Sequence, residues 1–316
     1  MNKVDESQKA VLTYGNALHE FGIVLAEKNG NVVPGKGRFQ DWTKNNVNIC
    51  TGCKNDCLYC YMKSINARNP KMKQPADWHN WEIRTKDVEK AYGLKDGLVG
   101  FPSSHDIFPD ILEDYLTVLG KLLRAGNQVL IVSKPRIDCI KPICEACHFF
   151  KDKIIFRFTI GAMDDEILKL WEPNAPGYEE RRACLEFAYD QGFRTSVSME
   201  PMLDTPRIDE QIADLRQFVR KDENIWLGTM NYLEQIKEGA GDDLTAAIAK
   251  VEAGQTAEIL TPIYKKYKDD PLIERKTDAL KKITGKQQNG EAVKKISGPC
   301  WKSRHCFHYR TGNRNL

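Results

Sequence analysis

The sequence predicts an α/β protein whose parallel strands are separated by helices and form an open or closed barrel, with a doubly wound sheet as the competing arrangement. Three observations predict it. Between about residues 97 and 230, short apolar runs rich in β-branched residues alternate with longer helical patterns. The short runs are bounded by turns, which is the pattern of βα units around a parallel sheet. The chain of 316 residues, 41% hydrophobic and 29% charged, is long enough and apolar enough to bury a large core.

Residues 1–45 carry turn signals at Lys28-Asn29-Gly30-Asn31 and Pro34-Gly35-Lys36-Gly37 and read as a leader packed on the barrel. A strand is predicted over Asn46 to Cys50, followed by a cysteine-rich stretch and a polar segment containing Trp78 and Trp81. Leu98 to Phe101 reads as the next strand, and Ile111 to Ala125 as a helix with Asp110 at its N-cap. Gln128 to Ser133 and Ile154 to Ile160 are two further strands, and Tyr178 to Gln191 is a helix ended by Gly192. Thr195 to Met199 is a strand, Ile208 to Val219 a helix and Ile225 to Thr229 a strand. Past Tyr232 the pattern turns helical and charged, with helices over Asp243 to Glu252 and Ala257 to Tyr267 and an irregular end. The barrel is therefore placed at 46–232 and a helical, basic C-terminal extension at 233–316.

No run of about 18 apolar residues is present, so no membrane span is predicted. No apolar segment follows Met1-Asn2-Lys3-Val4-Asp5-Glu6, so no secretory signal is predicted and a cytosolic location is expected. Charge is uneven. Residues 261–316 hold 14 Lys/Arg against 5 Asp/Glu, a balance of +9, while the rest of the chain sums to −6. In the tail, Trp301, Phe307 and Tyr309 lie among Lys302, Arg304, Arg310 and Arg314, a mixture that suits stacking on bases beside neutralised phosphates. The competing readings are a solvated lysine-rich face, or a tail docked on the acidic half of the chain.

The stretch NICTGCKNDCLYCYMK, residues 48–63, places four of the chain's ten cysteines within eleven positions. Disulfides, zinc and an iron–sulfur cluster are the candidate explanations. A reducing cytosol argues against disulfides. Zinc sites usually join two Cys/His pairs across a dozen or more residues, so Cys50-x-x-Cys53 and Cys57-x-x-Cys60 are cramped for it. A cluster held by Cys53, Cys57 and Cys60 alone leaves one iron open to a substrate or cofactor, with Cys50 as a small buried hydrophobe.

The CxxxCxxC spacing, with Tyr59 before the last cysteine, resembles the radical SAM superfamily. That resemblance implies a 4Fe-4S cluster whose open iron chelates S-adenosylmethionine (SAM), reductive cleavage of SAM to a 5′-deoxyadenosyl radical, and hydrogen abstraction from a substrate. It further implies a partial (β/α)6 TIM-type barrel and an electron donor of flavodoxin or ferredoxin type. The stretches FPSSHDIFPD (101–110), VLIVSKPR (129–136), RFTIG (157–161) and EPNAPGYEERRACLEFAYDQGF (172–193) resemble the spore photoproduct lyase-like branch, in the same order. In that branch, positions matching Ser103, Ser104 and Asp106 contact the methionine end of SAM, and Ser133 and Lys134 follow the third strand. The lysine holds the SAM carboxylate by a charge-assisted hydrogen bond. Thr159 matches a hydroxyl near the ribose and Tyr59 would lie by the adenine; Glu200, after the next strand, stands on the same edge and is a candidate to bind substrate or SAM. Read without the family, Ser104 and Asp106 are ordinary loop or cap residues, Lys134 a solvated lysine and Thr159 a common strand residue. Their shared position at C-terminal strand ends favours function, because barrel active sites occupy that edge. The loop Pro102-Ser103-Ser104-His105-Asp106 lacks the cysteine that returns hydrogen in the lyase itself. Repair of thymine photoproducts is thereby disfavoured, and the substrate stays open, with nucleic acid or a nucleotide as a candidate. Arg157 points opposite to its strand neighbours, toward either the lumen or the helices.

Cys144 and Cys147, together with Cys300 and Cys306 and with His305 or His308 nearby, are a candidate for zinc or a second cluster. The competing reading is buried cysteines. The non-enzyme alternative for the whole chain is a zinc-stabilised nucleic-acid-binding protein.

Overall fold

Parallel strands that are consecutive in the chain also stand side by side in the sheet. The computed structural model describes residues 42–231, 233–237 and 240–275. The leader before Trp42 and the basic tail beyond Arg275, including Cys300, Cys306, His305 and His308, lie outside the described residues. The chain first forms β1 (Asn45–Asn46), β2 (Cys50–Thr51), α1 (Tyr61–Asn66), β3 (Glu82–Ile83) and α2 (Thr85–Glu89). The regular part follows as β4 (Val99–Gly100), α3 (Leu112–Arg124), β5 (Val129–Ser133), α4 (Ile137–Ala146), β6 (Ile154–Thr159), α5 (Asp165–Trp171), α6 (Tyr178–Asp190), β7 (Arg194–Met199), α7 (Ile208–Leu215) and β8 (Ile225–Leu227). It closes with α8 (Leu233–Lys237), α9 (Asp242–Gly254), α10 (Ala257–Lys266) and β9 (Ile273–Arg275).

Seven strands form one parallel sheet in the order β1-β4-β5-β6-β7-β8-β9, and β2 pairs antiparallel with β3 in a separate ribbon. A doubly wound sheet reverses its strand order at a switch point. This order never reverses, so the sheet winds one way, as a barrel does. Two expectations change. The strand expected over Asn46–Cys50 divides into β1, in the main sheet, and β2, in the ribbon. The sheet also continues past residue 232, because β9 pairs in parallel with β8. It therefore has seven strands rather than six.

The period-two alternation of strand side chains decides which residues meet the helices. Val129, Ile131, Phe156, Phe158 and Val197 share one core with the buried face of α3, Tyr115, Leu116, Val118, Leu119, Leu122 and Leu123. Those α3 positions recur at helical spacing, and each fully buried large side chain contributes about 1.5–3 kcal/mol. The alternate residues Leu130, Ile155 and Trp226 join Leu98 and Trp42 on the inner face. Arg157 belongs to that inner face. Its guanidinium lies 4.5 Å from the Trp42 ring and 5.1 Å from the Trp226 ring, and pairs with Glu223 at 3.5 Å.

Gly192 adopts φ +85° and ends α6, where a left-handed residue is favoured. Asp110 does not cap α3. It sits in the turn Pro109–Ile111 and pairs with Lys54 at 2.6 Å, while the N-cap is Ile111. Among the described residues no helix is long and apolar enough to cross a membrane.

Candidate metal and cofactor site

Three tight turns bring the cysteines to the C-terminal edge of the sheet. Gly52, at φ +89°, begins the loop, and a Cβ there would stand 2.6 Å from the Trp78 carbonyl oxygen. That same carbonyl accepts a hydrogen bond from Cys53 N at 2.9 Å. Cys53 O accepts from Asp56 N and Cys57 O from Cys60 N, each at 3.2 Å, so the backbone turns back on itself between successive cysteines. Lys63 fastens the loop from α1 through its 2.5 Å ion pair with Asp56. Cys60 stands at the N-cap of α1.

Asp106, in the loop after β4, joins this cysteine loop to the end of β5. Its backbone N–H donates to Cys53 Sγ at 3.3 Å, and its Oδ2 accepts from Asn55 Nδ2 at 2.9 Å. Its Oδ1 accepts from Ser133 Oγ at 3.0 Å and from Lys134 N at 2.7 Å. The Lys134 ammonium lies 3.6 Å from Oδ2 and 5.5 Å from the centre of the Tyr59 ring. Burial acts to discharge Lys134, but Asp106, with Cys57, Tyr59 and Glu172 nearby, holds its pKa well above the usual lysine value. Burial also acts to protonate Asp106, and the Lys134 charge and the three donors outweigh it, keeping the carboxylate ionised.

A second anchor comes from β6 and α5. Leu58 N donates to Trp171 O at 2.9 Å, and the Tyr59 hydroxyl donates to Glu172 Oε1. Glu172 is fully buried and its other oxygen pairs with Arg181, also fully buried. Arg181 in turn donates to Thr159 O at 3.2 Å and Pro176 O at 2.8 Å. The cysteine loop is thus held on one side through Asp106 and on the other through Glu172.

Ser133 and Lys134 end β5, Thr159 ends β6, Glu200 follows β7, and Ser103, Ser104 and Asp106 follow β4. The structure brings Cys53, Asp106, Ser133, Lys134 and Tyr59 into one connected set of contacts, with Cys57 in the same loop. Ser103 is engaged elsewhere. Its hydroxyl accepts from Asn48 Nδ2 at 2.9 Å, while the N–H groups of Ser103 and Ser104 donate to Asn48 Oδ1 at 2.7 and 2.8 Å. Glu200 packs over Gly228, where a Cβ would lie 2.9 Å from Glu200 Cγ, two strands away from Lys134. The His105 ring is structural: Nε2 accepts from Ile49 N at 3.1 Å, so the proton sits on Nδ1, which faces Asp106 O at 2.9 Å. Sequence reasoning missed Asn48, Asn55, Glu172 and Arg181. Asn48, Asn55 and Tyr59 have partners remote in the chain, whereas Glu172 and Arg181 stand nine residues apart within the stretch 172–193, where their pairing carried no signal of its own.

The donor set fits a cluster. Burial pushes the Cys53 thiol up to about 12 and raises Cys57 and Cys60, while Lys134 opposes the rise at Cys57 and Cys60. Cys53 and Cys57 are buried and Cys60 is half-buried, and soft sulfur ligands with backbone donors nearby suit iron–sulfur chemistry. Among the described residues no group of three His, Cys, Asp or Glu side chains is set around a single metal ion. Cys50 lies in β2 opposite Ile83 and belongs to the core.

The second metal site gains no support. Cys144 and Cys147 are buried in the helix-side core, and burial pushes the Cys147 thiol up to about 12 and Cys144 higher still. Apolar packing occupies both sulfurs, and Cys300 and Cys306 lie outside the described residues.

No protein-family model matches this chain. A curated relative, the uncharacterised protein ORF301 of Acidianus two-tailed virus, is 23% identical over 208 residues, covering 62% of this chain and 66% of the relative. The chain thus spans just under two thirds of that relative's length. Among solved structures, the chain is similar to a spore photoproduct lyase mutant with dinucleoside spore photoproduct. There the identity is 14% and the TM-score 0.44, over 73% of this chain and 78% of that one. It is also similar to Streptococcus suis SuiB bound to precursor peptide SuiA, at 11% identity and TM-score 0.48, over 90% of this chain and 58% of that one.

Proposed function

We propose that this chain is a radical SAM enzyme that holds a 4Fe-4S cluster on Cys53, Cys57 and Cys60. The observation that carries the reading is the connection of the cysteine loop to Lys134 through Asp106 and Tyr59 at the C-terminal sheet edge. When bound, the cluster and SAM would supply a 5′-deoxyadenosyl radical by one-electron reductive cleavage of SAM. The chain's own residues bind and orient. Cys53, Cys57 and Cys60 would hold the cluster through their three thiolates, and Asp106 N–H donates to the Cys53 sulfur. Lys134 would offer its charged ammonium to the SAM carboxylate, with Ser133 and Asp106 fixing the backbone from which it projects. Tyr59, whose ring faces the Lys134 ammonium, would lie by the adenine, Thr159 and Glu200 stand at the neighbouring strand ends, and Ser103 and Ser104 would meet the methionine end of SAM from the loop after β4. Buried side chains around the site exclude water from it.

The electron comes from a flavodoxin- or ferredoxin-type donor, and the substrate is nucleic acid or a nucleotide, engaged with help from the basic tail. The reducing cytosol suits unpaired thiols of this kind. Anaerobic purification tests the reading: brown protein with about four irons per chain and broad absorbance near 400 nm is expected. Single alanine replacements at Cys53, Cys57 or Cys60 should each abolish SAM cleavage under dithionite, while Cys50→Ala keeps it. Colourless protein with stoichiometric zinc would instead support the zinc-stabilised binding protein and overturn the proposal.

A further inference from the structure

We infer that Glu172 and Arg181 are a buried positioning pair that fixes Tyr59, and through its ring Lys134, at the cofactor site; the part concerning SAM rests on the function proposed above. A fully buried carboxylate and guanidinium are costly to desolvate, and breaking such a pair leaves an uncompensated buried charge. Here each has a second task. Glu172 accepts from the Tyr59 hydroxyl, and Arg181 donates to the carbonyl of Thr159, the last residue of β6. Tyr59 lies between Cys57 and Cys60, so the pair ties the segment carrying two of the three proposed ligands to the end of a central strand. Leu58 N to Trp171 O, at 2.9 Å, makes the same connection through the backbone. Lys134 stands between the Asp106 carboxylate at 3.6 Å and the Tyr59 ring at 5.5 Å. Asp106 alone does not fix the direction of a flexible lysine, whereas a second surface held from the opposite side does. Glu172 and Arg181 touch neither the proposed ligands nor Lys134 through a hydrogen bond, so they act through Tyr59.

Three variants separate this role from a purely structural one. Tyr59→Phe removes only the hydroxyl and leaves the Glu172–Arg181 pair whole. Glu172→Gln keeps the volume, and Arg181→Lys keeps the charge. The first readout needs no cofactor: alkylation of Cys57 and Cys60 by iodoacetamide in cluster-free protein, mapped by peptide mass. Tyr59→Phe and Glu172→Gln should each speed alkylation at these two cysteines at least fivefold, with Cys144 unchanged as an internal control, and Arg181→Lys should lie nearer the wild type. The second readout is the SAM dissociation constant of the anaerobically reconstituted protein, expected to rise roughly tenfold in Tyr59→Phe at unchanged iron content. Alkylation rates within twofold of the wild type in both Tyr59→Phe and Glu172→Gln would overturn the anchoring. An unchanged SAM constant at wild-type iron content would overturn the link to Lys134. If the wild type itself takes up no iron, the proposed function falls, and the alkylation arm still decides whether the pair anchors the loop.

Discussion

Lys134 illustrates how little a residue's type says about its environment. It is read from sequence as either a SAM ligand or a solvated lysine, and the structure buries it against Asp106 and Tyr59. Lys134→Ala should weaken SAM binding by about 1.5–3 kcal/mol, the usual worth of a hydrogen bond to a charged group, read as the SAM dissociation constant. An unchanged constant would reject the role. His105 makes a different prediction, about pH. Burial pushes its pKa down to about 4, opposed by Asp106 and assisted by Arg84, so the folded protein holds this ring neutral. The folded value lies below the ordinary 6.5, and the folded state therefore binds fewer protons than the unfolded chain. Stability from this group is complete above about pH 6.5 and declines toward pH 4, by at most about 3 kcal/mol at ~1.4 kcal/mol per unit. His105→Gln should flatten that part of the curve in denaturant titrations; an identical slope would show that other groups govern it. At this scale the cysteine spacing was legible because the ligands are close in sequence. The roles of Asn55, Glu172 and Arg181 were not, since Asn55 lies 51 residues from Asp106 and Tyr59 lies 113 from Glu172.

Elements were legible where periodicity had room to show. The strands β5, β6, β7 and β8 and the helices α3, α6, α9 and α10 fall close to their expected bounds. Strands β1, β2 and β3 are two residues each, too short for any alternation, and β9 is three. The helix α4 carries Pro142 inside it, a residue that reads as a breaker in sequence. The cysteine loop depends on an element-level constraint at Gly52, whose left-handed conformation and close approach to the Trp78 carbonyl exclude a side chain. Gly52→Ala should cost about 1–3 kcal/mol and shift the loop. A thermal melt and the iron content after reconstitution measure both effects. A variant with wild-type melting and full iron would show that the ribbon relaxes around the methyl group.

Across the whole molecule, the uneven charge leads to a prediction about the tail. Residues 261–316 carry +9 and the rest −6. If the tail binds nucleic acid, affinity should fall with log salt at a slope of about −0.7 to −0.9 per phosphate contact and shrink when 299–316 is deleted. Unchanged affinity with a lower melting temperature after that deletion would assign the tail to the acidic half of the chain instead. The one-way winding of the sheet was legible only as a choice between two architectures, because strand order depends on which strands pair and not on how each one reads. The seventh strand, beyond the charged helices, carried no pattern at all.

Trp42, Arg157 and Trp226 pack together on the inner sheet face with nearly solvent-free side chains. Among the described residues these side chains close that part of the inner face with almost no exposure, so the residues proposed to meet the cofactor stand at the strand ends beyond them.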